Sequence, residues 1–207
     1  MPTKSFSKFK KTILRCGDLV STYETLHLQH QQNQGIPVPK DILRAAVVLA
    51  VAALDAYATD AFAEKLVPYL KKYTPDQSLV DLLHQAGLDT KEALTLITME
   101  RPLRRIRTLI NNHHSTYTTQ RFDVIDQLFL PYRLKNFTQN AEAKSGKKLL
   151  KTSVEKLIAR RHEIVHDGDY NGHGKIKDID SDQIKKRISH LETLVTNMDA
   201  ILCSRIA

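Results

Sequence analysis

The sequence contains no tryptophan, and among its 207 residues it has only seven glycines, seven prolines and two cysteines. Scarce glycine and proline leave few tight turns, which argues against a many-stranded sheet and for long helices. Aromatic residues make up 6% of the chain, so aliphatic side chains must build the core. Cys16 and Cys203 lie near opposite ends with no metal-type spacing. That pattern is neither a disulfide scaffold nor a cysteine zinc site, and it leaves a reducing cytoplasm as the expected compartment. The opening MPTKSFSKFKK has no apolar run of the signal-peptide kind. The longest apolar run, Ala45 to Leu54, is bounded by Arg44 and Asp55. It is too short to span a bilayer, so a buried core segment is expected and no membrane partner.

What the chain does have is positive charge. Thirty-one Lys and Arg face 23 Asp and Glu, a formal +8, with an isoelectric point near 9.4. Such a balance favours polyanionic partners, RNA among them. Apolar residues recur in steps of three and four through most of the sequence. Phe6, Phe9, Ile13, Cys16, Val20 and Tyr23 mark a first helix, ended by the polar stretch from His30 to Gly35 and by Pro37 and Pro39. Asp41 to about Tyr73 reads as a second, long helix, apolar on every face between Ala45 and Leu54 and therefore central, with Pro68 a candidate kink. Residues 76 to 114 read as two shorter helices parted near Gly87, with Pro102 suited to a helix's first turn; 120 to 143 read as another, interruptible at Pro131. Leu149 to about His166 is helical up to a stop at Gly168, and Asp180 with Gln183 has the form of a capping box that opens a final helix. No stretch alternates as a strand, and no repeat or linker divides the chain. One all-α domain over residues 1–207, an up-and-down helical bundle, is expected.

The informative segment is Arg160-Arg161-His162-Glu163-Ile164-Val165-His166-Asp167-Gly168. One reading is the zinc-peptidase pattern H-E-x-x-H, in which His162 and His166 hold zinc and Glu163 is the general base. Its context is wrong: Arg160 and Arg161 would repel a dication, neither His173 nor Glu192 is placed as an obvious third ligand, and no sheet edge offers itself to a peptide. The second reading is an Arg, a polar residue and a His after four intervening residues: Arg161, His162 and His166. Arg160 fits with five, so the arginine is not uniquely assigned. Arg107 and His113 make a further match of the same loose pattern.

In the second reading the chain resembles the HEPN superfamily of helical nucleases. RHEIVHDG is similar to the R-N-x-I-V-H-x-G form of the RiboL-PSP-HEPN group, and AAVVLAVAALDAYATDAF to that group's long apolar helix. The resemblance covers residues 40 to 73 and 149 to 205 best. It implies a HEPN-type bundle and an endoribonuclease that needs no metal or other cofactor and leaves a 2′,3′-cyclic phosphate and a 5′-OH. It also implies a homodimer whose two motifs line one cleft, and toxin or phage-defence roles, sometimes with an antitoxin. The bland alternative is a non-catalytic RNA-binding module.

The chemistry suits the residues. RNA carries its own nucleophile, the 2′-OH. An imidazole, here His166, can take its proton near neutral pH, and a guanidinium, here Arg161, can grip the scissile phosphate bidentately. Leu150, Val154, Leu157 and Arg161 share one helical stripe, so Arg161 should point toward packed surface. His166 leaves a straight helix about 140° around from it at 100° per residue. Either the helix unwinds before Gly168 or a second subunit completes the site. His162 joins Arg161 and His166 as a catalytic candidate, to orient Arg161 or contact the phosphate; supporting candidates are Arg160, Glu163 as a partner for an Arg, and Asp55 as a buttress for Arg161 or His166. Tyr57 is a base-stacking candidate, with packing in the core the simpler expectation. Arg101, Arg104, Arg105 and Arg107 form a basic stripe able to guide RNA, which Lys147, Lys148 and Lys151 would extend. Asp167-Gly168-Asp169 reads as a polar turn or, less simply, a divalent-ion loop.

Overall fold

In the computed structural model, residues 1–33, 38–114 and 119–206 are described. They form nine α-helices: α1 (Lys4–Asn33), α2 (Asp41–Lys72), α3 (Gln77–Gln85), α4 (Thr90–Ile97), α5 (Pro102–His114), α6 (Phe122–Phe129), α7 (Phe137–Ser145), α8 (Leu150–His166) and α9 (Ser181–Arg205). A 3-10 turn, Leu130–Tyr132, joins α6 to α7. Among the described residues there is no strand beyond an isolated bridge between Tyr170 and Ile176. The fold is all-α, as expected.

Helix α2 is the axis. Leu43, Val47, Ala50, Val51, Leu54, Ala58, Phe62 and Leu66 are all fully buried along its length, each larger aliphatic chain contributing roughly 1.5–3 kcal/mol. It runs unbroken across Pro68. By length and apolar content alone it could cross a bilayer, but its apolar faces pack on α1, α5, α8 and α9, the surroundings of a core helix. Helix α1 lies antiparallel to it: Lys8 bonds Asp60, and the Glu64 carboxylate accepts from the Lys4 and Ser5 N–H groups, capping α1. Helix α9 returns antiparallel to α1, joined through Thr3–Asp199, Lys10–Glu192 and Lys185–Glu24. The Asp180 side chain accepts from the Gln183 N–H at 2.8 Å, the expected cap.

The short helices depart from the sequence reading. The region 76–114 holds three helices rather than two, because Asp76 and Asp89 each cap a helix start and Pro102 opens another. The stretch 120–143 does follow that reading: it is interrupted at Pro131 into α6 and α7, with Arg133 and Asn136 in left-handed backbone beyond the turn. Helix α1 continues through His30 to Asn33; the loop expected around Gly35 and Pro37 lies outside the described residues. Tyr57 is 1% exposed and packs on Phe9 at 5.9 Å, so it cannot stack on a base. His114 is buried edge-on to Phe62, and burial, with neighbouring His113, pushes its pKa down to about 4, keeping the ring neutral in the core.

Candidate functional site

Helix α8 carries the whole motif. Leu150, Val154 and Leu157 are fully buried, and Arg161, next on that stripe, is half-buried where α8 meets α2. Its Nη1 donates to Gln120 Oε1 at 3.1 Å. Its Nε–H is buried and has no hydrogen-bond partner among the described residues, and none of the ion pairs there includes Arg161. Gln120 in turn reaches toward Asp55 Oδ2 at 3.5 Å, while Asp55 Oδ1 accepts from the Thr119 N–H at 2.7 Å and from the Thr119 hydroxyl. Asp55 makes no direct contact with Arg161 and is joined to it only through Gln120. A guanidinium held by one neutral amide keeps most of its positive field and its remaining donors for an anion.

Arg160, the competing motif arginine, is in the opposite situation. Its guanidinium bonds Asp169 at 2.8 Å, Glu163 at 3.1 Å and the Asp178 carbonyl at 3.0 Å. Asp169 is 1% exposed and also accepts from Arg44 Nε at 2.6 Å, and Arg44 further donates to the Lys177 carbonyl. Two arginines thus clamp one buried carboxylate and fasten the 167–180 segment to α2 and α8. Asp169 is not a solvated turn residue: its Oδ2 is held in this clamp, while its Oδ1 is buried with no hydrogen-bond partner among the described residues. Glu163 belongs to the same cluster, with Lys177 at 3.1 Å. Burial works to raise its carboxyl, but the bonds from Lys177 and Arg160 outweigh that and hold it below the ordinary value.

His162 and His166 stand one turn apart on the exposed face of α8, ring centroids 4.8 Å apart and edge-on. His162 makes no hydrogen bond to Arg161. Helix α8 stays helical through His166 and ends beyond it, with the Asp167 and Asp169 N–H groups both closing on the Glu163 carbonyl around Gly168, whose φ is +63°. Glycine is favoured there by the left-handed turn, and a Cβ would crowd the Tyr170 ring at 3.2 Å. No unwinding brings His166 round to Arg161, so in one chain the two side chains leave α8 on different sides.

The zinc arrangement gains little. Glu163 is spent on Arg160 and Lys177, Glu192 is bonded to Lys10, and no cluster of three or more His, Cys, Asp or Glu suited to a metal occurs among the described residues. The basic stripe on α5 is exposed, but Arg105 is bonded to Glu92 at 2.6 Å, and Arg107 lines a groove that also holds Asp60 and Glu64. Sequence reasoning missed Gln120, Thr119 and Arg44. Arg44 was visible as a lone cation at the edge of an apolar helix; Gln120 carried no signal.

A sequence model of the family described as RiboL-PSP-HEPN matches residues 16–204. No curated protein and no solved structure matches the chain.

Proposed function

The chain belongs to the RiboL-PSP-HEPN family, whose membership suggests a ribonuclease-type or RNA-related nuclease function, and from that premise we propose that it is an endoribonuclease working through Arg161 and His166. The observation that carries the reading is the contrast between two adjacent arginines. Arg160 is neutralised by the buried Asp169 and the part-exposed Glu163, whereas Arg161 is half-buried, ion-pair-free among the described residues and has a partnerless Nε–H. Partial burial of an uncompensated cation costs free energy, which is reasonable where a ligand anion supplies the missing charge.

In this reading Arg161 holds the non-bridging oxygens of the scissile phosphate. His166 removes the proton of the 2′-OH, the 2′-oxygen attacks phosphorus, and the bond from phosphorus to the 5′-oxygen breaks. The departing 5′-oxygen takes up a proton, leaving a 2′,3′-cyclic phosphate and a 5′-OH. Gln120 aims Arg161, and His162 flanks His166. Because the two groups diverge on α8, the working site takes Arg161 from one subunit and His166 from the other across a two-fold axis. The cellular setting we propose is a cytoplasmic toxin or phage-defence effector restrained by an antitoxin, and it rests on the family alone.

The test is single-turnover cleavage of end-labelled RNA with EDTA present. Cleavage is expected to persist, to yield cyclic-phosphate ends, and to vanish when the scissile nucleotide is 2′-deoxy. His166→Ala should lower the rate by about 10²–10⁴-fold. Cleavage that EDTA abolishes, or RNA binding with no cleavage at all, would overturn the reading, the latter in favour of a non-catalytic module.

A further inference from the structure

A second feature of α8 lies on the face turned toward α9. Between the first turns of α8 and the N-terminal half of α9 runs a groove of about 360 Å³. Lys148, Lys156, Lys186, Arg187 and His190 line it, together with Thr152 and with no acidic residue. Some cations elsewhere are answered locally: Lys185 by Glu24, Lys10 by Glu192, Lys40 by Asp178, Lys177 by Glu163. Among the described residues no ion pair includes Lys148, Lys156, Lys186 or Arg187; Arg187 only donates to Gln183 at 3.2 Å. His190 Nδ1 is buried without a partner among those residues. Burial, then the like charges of Lys147 and Lys186, push that ring below its ordinary value. The first turn of α8 adds the positive end of a 17-residue helix whose cap, Leu149, supplies no side-chain bond.

We infer that this groove binds the phosphate backbone of the RNA strand flanking the scissile phosphate. The inference rests on the ribonuclease reading for the identity of the polyanion. A concave slot of convergent cations fits a phosphate chain better than a flat membrane surface, and the groove on α1, α2 and α5 shows the contrast, since there Asp60 pairs with Lys8 and Glu64 adds a second carboxylate. Position agrees. Lys156 precedes Arg161 by five residues, about 7.5 Å along the axis, but on another face. The groove therefore serves neighbouring nucleotides and leaves the reacting phosphate to Arg161.

The experiment compares the wild type with the triple variant Lys148→Gln, Lys156→Gln, Lys186→Gln. Binding of a fluorescent, uncleavable 2′-O-methyl RNA of about 20 nucleotides is followed across salt concentrations. The triple variant should bind about tenfold or more weakly, with the slope of log K against log salt reduced by about 2, roughly 0.7 for each phosphate that the variant no longer neutralises. The corresponding triple Lys→Arg variant should keep the wild-type slope. Cleavage of a dinucleotide, too short to reach the groove, should proceed at the wild-type rate in the Gln variant, which also shows that it is folded. Unchanged RNA binding in the Gln variant overturns the groove and leaves the nuclease reading standing. Weakened binding seen only with phosphatidylserine vesicles or polyglutamate, and not with RNA, overturns it too. A wild type that binds the uncleavable RNA but never cleaves RNA sinks the nuclease reading, while the binding comparison still decides the groove.

Discussion

Arg161→Ala is expected to lower single-turnover RNA cleavage by about 10²–10³-fold, the loss of about 2.7–4 kcal/mol of transition-state stabilisation, while thermal stability stays the same or rises. The two outcomes belong together. Arg161 is half-buried and satisfied only by Gln120 among the described residues, with its Nε–H buried and unpartnered. Its removal breaks one neutral-acceptor bond and relieves an uncompensated charge, so folding loses little. Arg161→Lys keeps the charge but loses the planar fork, and should recover only part of the rate. Gln120→Ala removes the group that aims the guanidinium and should show a smaller fall in rate, with the Lys variant at position 161 insensitive to it. An Arg161→Ala protein that is fully active, or one that fails to fold, contradicts this placement.

Asp169→Ala is the opposite case, with the large effect on stability. Asp169 is 1% exposed, and its Oδ2 receives Arg44 Nε at 2.6 Å and Arg160 Nη2 at 2.8 Å. Both arginine side chains are about nine-tenths buried. Deleting the carboxylate takes from two buried cations their only buried counter-charge, leaving them the more exposed Glu163 and Asp41, a loss of up to about 3–5 kcal/mol, and alanine is a poor residue at the left-handed φ of 64° that aspartate tolerates. In a chain of this size that lowers the melting temperature by roughly 6–20 °C. Asp169→Asn keeps the backbone preference and one acceptor, and should fall between. Urea or thermal unfolding followed by circular dichroism measures it. A shift under about 1 kcal/mol would mean that the clamp does not hold the 167–180 segment. Because that segment follows directly on His166, the destabilised variant should also cleave more slowly than its folded fraction explains.

The two predictions separate residues that the sequence left together. Both arginines fit the motif spacing, and the local pattern favours Arg161 only through the stripe it shares and the His162 that follows it. The distinction is made by Asp169, buried only because Arg44, 125 positions away in sequence, reaches it. Likewise Gln120 meets Arg161 across 41 positions. Contacts of that range leave no periodic trace. What was legible had one: the all-apolar segment that makes α2 central, the Leu150–Val154–Leu157 stripe that turns Arg161 inward, the glycine stop after His166, and the Asp180 cap. Pro102 and Pro131 also marked the helix start and the interruption near them, but the three-helix division of residues 76–114 was not legible, because it depends on the Asp76 and Asp89 caps.

The most direct test of the composite site is complementation in EDTA. Arg161→Ala and His166→Ala chains are each assayed alone, then mixed in equal amounts after allowing subunits to exchange. About half of the mixed dimers are heterodimers with one complete site of two, so the mixture should recover roughly a quarter of wild-type cleavage while each parent stays nearly inactive. A mixture no more active than its components, from a wild type that does cleave RNA, would show that one guanidinium and one imidazole are not contributed by different subunits.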